Sequence, residues 1–153
     1  MKSYRNGYME AAVFLFYRNG SILIEHRPGP EGKETFIPNG TVEDKDKGTE
    51  EDYRIAAMKR EALEEMNAKI TKFEYLTEYK VEEPKIWFYC YMVTGWEGEI
   101  PLYTIEEGKR FADLEWINLK EYKTYFHFQS ALHMCEKLID YLKERERRFI
   151  LLL

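Results

Sequence analysis

The sequence predicts an α+β fold, an α/β/α sandwich about a mixed β-sheet, on three observations. Apolar, β-former-rich runs punctuated by Asn-Gly turns open the chain. One amphipathic helical stretch lies near the middle, and three further strand-like runs lead to a second helix at the end. At 153 residues the chain reads as one domain, 1–153, able to bury roughly two-thirds of its extended surface.

The elements follow in order. "MEAAVFLFY" and "SILIEHR" flank Asn19-Gly20, a pair that accepts the positive φ angles of a tight hairpin turn. "GPEGKE" reads as a loop, and "TFIPNG" as a short extended piece ending at Gly40. The acidic, Lys-rich loop "TVEDKDKGTEED" leads into a helix from about residue 51 to 66. "KITKFEYLTEYKV" and "KIWFYCYMVTGW" read as strands separated by "EEP", and "FADLEWINL" as another. "KEYKTYF" is a short helix or turn, and "FQSALHMCEKLIDYLKERERR" an amphipathic helix. The apolar "FILLL" after it folds back on the sheet, joins a homodimer interface or stays unstructured.

Composition narrows the function classes. Hydrophobic residues at 44% supply a core, and the 33% charged fraction is mixed in sign, which suits a solvated surface rather than disorder. The net charge of −5, without a dense basic block before the C-terminal run, argues against binding nucleic-acid polymers. An anionic substrate would need a cation to attract it. Cys90 and Cys135, without CxxC or metal spacing, read as reduced, buried packing residues. The N-terminus lacks an apolar signal core and no run reaches membrane-spanning length, so a cytoplasmic protein without membrane contact is expected. His26, His127 and His133 show no ligand spacing and read as structural.

Residues 54–70, "RIAAMKREALEEMNAKI", carry the chemistry. At about 100° per residue, Glu61, Glu64 and Glu65 share roughly 100° of helix surface. Ile55, Met58, Ala62, Leu63 and Met66 take the opposite, core-facing side. Like charges at this spacing cost a helix a few tenths of a kcal/mol. A divalent cation held by oxygen ligands reverses that sign. A solvated acidic face is the other reading of the helix taken alone.

The residues upstream complete a pattern. Gly40, Asp52, Arg60, Glu61, Glu64 and Glu65 resemble the Nudix box, G-x5-E-x7-R-E-U-x-E-E-x-G-U with U aliphatic. "REALEEMNA" fills its second half, with Ala62 and Ala68 at the aliphatic positions, and Asp52 precedes Arg60 by the required seven residues. The opening hairpin, "FIPNG" and the late "FADLEWINL" strand also fall where this family carries similar elements. Three departures stand out. Six extra residues separate Gly40 from Arg60, Asp52 replaces Glu, and Asn67 replaces the closing Gly. Asn is the next best residue for a left-handed helix end, and a surface loop absorbs six residues at small entropic cost. Asp44 and Asp46 are spaced like a calcium loop, but its glycine comes one place early and its twelfth position is Ile55, so that reading fails.

The resemblance implies a Nudix-type sandwich of the small, MutT-like kind. It implies hydrolysis of a nucleoside diphosphate linked to another group, a nucleotide-derived small molecule, with Mg²⁺ or Mn²⁺ as cofactor. Glu61, Glu64 and Glu65, assisted by Gly40, would hold the metal, and Arg60 and Asp52 would steady these carboxylates. Glu61 or a glutamate of "YTIEEGKRF" would activate water, with Glu107 favoured over Glu106. Arg27 matches a phosphate-contact position, and Phe36 is a candidate for the base pocket. Along "KIWFYCYMV", Trp87, Tyr89 and Tyr91 alternate with Ile86, Phe88, Cys90 and Met92; the first face either stacks a base or packs as core. The alternative function is a catalytically silent nucleotide-binding or sensor domain of the same fold, though its box acids would be eroded. An isopentenyl-diphosphate isomerase would need a cysteine near the box, where this chain has none.

Overall fold

The computed structural model describes residues 1–29 and 34–153. Most of the expected loop "GPEGKE" therefore lies outside the described residues. Among the described residues, nine strands form: β1 (Tyr4–Arg5), β2 (Tyr8–Arg18), β3 (Ser21–Arg27), β4 (Glu34–Phe36), β5 (Asn39–Thr41), β6 (Lys69–Glu82), β7 (Lys85–Glu97), β8 (Tyr103–Glu106) and β9 (Lys109–Asn118). Three helices join them: α1 (Tyr53–Met66), α2 (Tyr122–Tyr125) and α3 (Gln129–Leu151). A 3₁₀ helix over Asp44–Gly48 precedes α1, in what the sequence presents as a plain loop.

The sheet order is β6-β7-β2-β3-β9-β8, with β1 and β5 added to β2 and β4 to β3. β2 runs parallel to β7 over Met9–Phe16 and Ile86–Val93, while the other pairings are antiparallel, so the sheet is mixed. β2 and β3 pair only beside their turn, where Tyr17 faces Ile22 and Arg18 faces Ser21. Asn19 and Gly20 take φ of 50° and 80° there, as the Asn-Gly pair predicts. Beyond that turn β2 pairs with β5 and β7, and β3 with β4 and β9; the sheet divides into two wings that diverge from the hairpin.

Each face of the sheet has its own core. Ala12, Phe14, Phe16, Tyr89 and Tyr91 pack under Met58, Ala62 and Met66 of α1. Val13, Leu15, Phe88, Cys90 and Met92 pack against Met134, Cys135 and Leu138 of α3. The result is an α/β/α sandwich. Both faces of "KIWFYCYMV" are thus buried, because β7 is a central strand covered by a helix on each side. Cys90 and Cys135 are free and buried. Leu63, assigned to the core side by periodicity, is 50% exposed at the margin of the apolar stripe.

The ends of α1 follow from single residues. The Asp52 carboxylate accepts from the Arg54 backbone N–H at 2.9 Å and caps the first turn. Asn67 closes the helix at φ 54°, its N–H directed to the Ala62 and Leu63 carbonyls, so it takes over the role of the family's glycine. Glu10 ties the N-terminal strands to this helix: its buried carboxylate accepts from Ser3 Oγ (2.6 Å), Tyr53 Oη (2.5 Å) and Tyr89 Oη (2.5 Å). Burial alone would raise this acid, but the three hydroxyls together outweigh burial and hold it below the ordinary range.

"FILLL" does not return to the sheet. α3 continues through Leu151, and Phe149 to Leu153 stand exposed. Among the described residues, no helix is long and apolar enough to cross a membrane.

Candidate active site

A cavity of about 440 Å³ opens where the wings of the sheet diverge. Its carboxylate end is lined by Glu61 and Glu65 of α1, Glu106 of β8 and Gly40 of β5; Arg27 of β3 stands beside them. Its apolar end is lined by Met9, Phe36, Val81, Ile86, Phe88 and Phe128. Phe36 meets Phe88 at 5.5 Å and Phe128 at 5.9 Å between ring centroids, which gives this end rigid aromatic walls. The cavity takes the Ile86/Phe88 face of β7. Trp87, Tyr89 and Tyr91 pack instead beneath α1.

Helical spacing brings Glu61 and Glu65 to this mouth on successive turns. Glu61 is only 8% exposed, and its acidity is reduced first by burial, with Arg60 opposing. Glu65 is pushed up to about 9, by burial first and then by the nearby carboxylates of Glu61, Glu25 and Glu106; Arg27 relieves only part of this. Gly40 lies directly on the Glu61 carboxyl, where a Cβ would fall 2.3 Å from Cδ and 2.4 Å from Oε2. Only glycine leaves that carboxylate in place.

Glu64 projects from the same helix face but does not line the cavity. Its side chain is 53% exposed and accepts from Arg60 Nη1 at 3.0 Å. Arg60 is the organising cation of the helix. Its Nε and Nη2 hold Asp46 in a two-pronged grip at 2.8 and 3.0 Å; Nη1 reaches Glu43 at 3.1 Å and Glu61 at 3.1 Å; Nη2 also reaches the Thr41 carbonyl at 3.2 Å. Burial would raise Asp46, but Arg60 and the Glu43 backbone N–H (2.8 Å) hold it below the ordinary range.

The acid paired with Arg60 is therefore Asp46, not Asp52. Asp52 is turned to Arg54, with a second bond from Arg54 Nη2 at 2.8 Å, and serves the start of α1. Counting six residues forward from Gly40 reaches Asp46, the acid position of the box; counting back eight from Arg60 reaches Asp52. The extra residues follow Asp46 and form the approach to α1. The offset of Asp46 from Gly40 is therefore the signal in the sequence that marks it.

Water-activating candidates also separate. Glu107 occupies the β8–β9 turn at φ 52°, followed by Gly108 at 76°, and is exposed at its tip. Glu106, one residue earlier, lines the cavity. Phe36, Arg27, Gly40, Glu61 and Glu65 thus meet at one cavity, whereas Asp52, Arg60, Glu64 and Glu107 do not line it.

Glu25 is a further acid close to Glu65. It is 1% exposed within β3 and accepts from Arg27 Nε at 2.6 Å. Burial, opposed by Arg27, raises it to about 7. No motif marks it; the only signal is an acid directly after the apolar run Ile22–Ile24 of a strand.

The donors fit a divalent cation: Glu61 and Glu65 are crowded, partly dehydrated carboxyl groups that Arg60 and Arg27 compensate only in part. Among the described residues, no three or more His, Cys, Asp or Glu side chains form a ready-made metal cluster.

A family model described as NUDIX domain matches residues 8–136. No curated protein matches the chain. Solved structures share the fold at low identity. A chain from a study of MutT from Aliivibrio salmonicida and Vibrio cholerae is 18% identical, with a TM-score of 0.64 over 86% of this chain and 95% of that one. An ADP compounds hydrolase is 12% identical, with a TM-score of 0.70 over 90% and 75%. The NUDIX domain of Shewanella oneidensis NrtR, solved with ADP ribose, is 14% identical, with a TM-score of 0.63 over 88% of each chain.

Proposed function

The chain belongs to the Nudix family, and from that premise we propose that it hydrolyses a phosphoanhydride bond in a nucleoside diphosphate linked to another group. One observation carries the reading. A single cavity joins aromatic walls, suited to a base, to crowded carboxyl groups suited to a cation, a distance that a bound pyrophosphate would span.

Glu61 and Glu65 would hold Mg²⁺ or Mn²⁺ beside Gly40. When bound, the ion neutralises phosphate oxygens and favours ionisation of water. The protein's own groups do the rest. Phe36, Phe88 and Phe128 hold the base, and Arg27 meets a phosphate oxygen. Arg60, fixed by Asp46, keeps Glu61 and Glu64 in register on the helix. Glu106 accepts the proton of the attacking water, a role its place at the cavity supports better than the turn position of Glu107.

A screen of ADP-ribose, nucleoside triphosphates, dinucleoside polyphosphates and nucleotide sugars, with Mg²⁺ and with Mn²⁺, tests this. Turnover should vanish in EDTA and fall at least a hundredfold in Glu61→Gln and Glu65→Gln. Full activity in EDTA, or in both variants, refutes the reading. A nucleotide sensor is the second reading, and the exposed, Arg60-bound Glu64 favours it. Tight ADP-ribose binding without turnover would select it.

A further inference from the structure

Glu25 poses a physical problem. It lies on a strand paired on both sides, opposite Phe36 of β4 and Leu114 of β9, and at 1% exposure its carboxylate is held out of water. A buried ion pair is weak support for a fold, and an apolar residue of similar volume often serves stability as well or better. The neighbours on this strand, Leu23 and Ile24, are such residues. An acid kept here needs another reason.

The reason lies two residues along the same strand face. Arg27 gives its Nε to Glu25 at 2.6 Å, and its guanidinium carbon lies 5.5 Å from the centre of the Phe111 ring. Among the described residues, no side chain takes its two terminal nitrogens. They belong to a half-exposed side chain lining the cavity beside Glu65 and Glu106, two carboxylates that would otherwise draw the arginine onto themselves. An arginine held by Nε keeps its Nη edge for a planar, two-pronged contact with an oxyanion.

We propose that Glu25 is a positioning residue for substrate: it anchors Arg27 by Nε, presents the Nη edge to a phosphate, and keeps that cation from quenching Glu65 and Glu106. The inference rests on the proposed hydrolase reading. It adds a buried residue outside the box that sets affinity for the pyrophosphate without touching it.

The test compares Glu25→Leu, Glu25→Gln and Arg27→Leu, with the double variant Glu25→Leu/Arg27→Leu, using Mg²⁺ and the best substrate of the screen. Glu25→Leu should raise KM at least tenfold with a smaller change in kcat and no loss of thermal stability. Glu25→Gln, which keeps an oxygen for Nε, should restore KM to within about threefold of wild type. In the Arg27→Leu background, Glu25→Leu should add nothing. An unchanged KM in Glu25→Leu, or an equal penalty with and without Arg27, overturns the proposal. Should Glu25→Leu fail to fold, Glu25→Ala replaces it under the same criteria. If the wild type turns over no substrate, the hydrolase reading fails by itself, and calorimetry with ADP-ribose and Mg²⁺ decides this point. Tenfold weaker binding by Glu25→Leu than by wild type supports it; equal binding, or none by either, overturns it.

Discussion

Glu65→Gln should make the metal-free protein more stable, by a margin that grows as pH rises above about 4.5. In the folded state Glu65 is raised from its ordinary 4.5 to about 9, by burial first and then by the carboxylates of Glu61, Glu25 and Glu106. Between those limits the folded chain keeps a proton that the unfolded chain has released. Stability is therefore greatest below the unfolded value and falls as pH rises towards 9. At 1.36 kcal/mol per pH unit, the ceiling at pH 8 is about 5 kcal/mol, and water at the open cavity reduces it to roughly 1–2 kcal/mol. An isosteric amide removes this linkage. For a domain of this size the gain corresponds to about 3–6 °C at pH 8 and under about 1 °C at pH 5. Thermal unfolding in EDTA at both pH values measures it. With Mg²⁺ added at pH 8, the wild type should gain thermal stability and Glu65→Gln should gain far less. An advantage of equal size at both pH values, or none at pH 8, would show that Glu65 is an ordinary solvated acid and undo the argument for a cation there.

Five other substitutions separate the roles of neighbouring residues. Gly40→Ala places a methyl group 2.3 Å from Glu61 Cδ, so it should cost about 1–3 kcal/mol in denaturant unfolding and lower activity more than tenfold. Asp46→Asn weakens the grip on Arg60 and should cost about 2–3 kcal/mol, whereas Asp52→Ala should cost about 1 kcal/mol through the lost helix cap and leave kcat within a few-fold. Glu106→Gln should lower kcat by about 10²–10⁴, while Glu107→Gln, altered at the tip of an exposed turn, should leave it within twofold; steady-state kinetics on one substrate ranks the pair.

What the sequence disclosed and what it hid have one physical dividing line. The hairpin at Asn19-Gly20, the two long strands of residues 69–97 and the helix of glutamates were readable because local rules decide them: turn dihedrals, side-chain period and capping. Glu61 and Glu65 were readable for the same reason, since helical spacing alone brings them to one surface. Asp46 was hidden because two acids fit the box by count, one from each end of the insertion, and only the path of the chain decides which meets Arg60. Asp52 was the better match by distance to Arg60, yet a carboxylate immediately before a helix is drawn to the backbone N–H groups of its first turn. Glu107 offers the same lesson in miniature. Followed by Gly108, it takes the first left-handed position of a two-residue turn, so the preceding Glu106 is the last residue held by the strand. Glu25 was beyond any motif, but not beyond pattern. In "SILIEHR" an acid occupies a position of the same parity as Leu23 and Arg27, so a charge falls on a face that also carries core. A strand bears that cost only where a partner cation stands near, and two residues on, along the same face, stands Arg27.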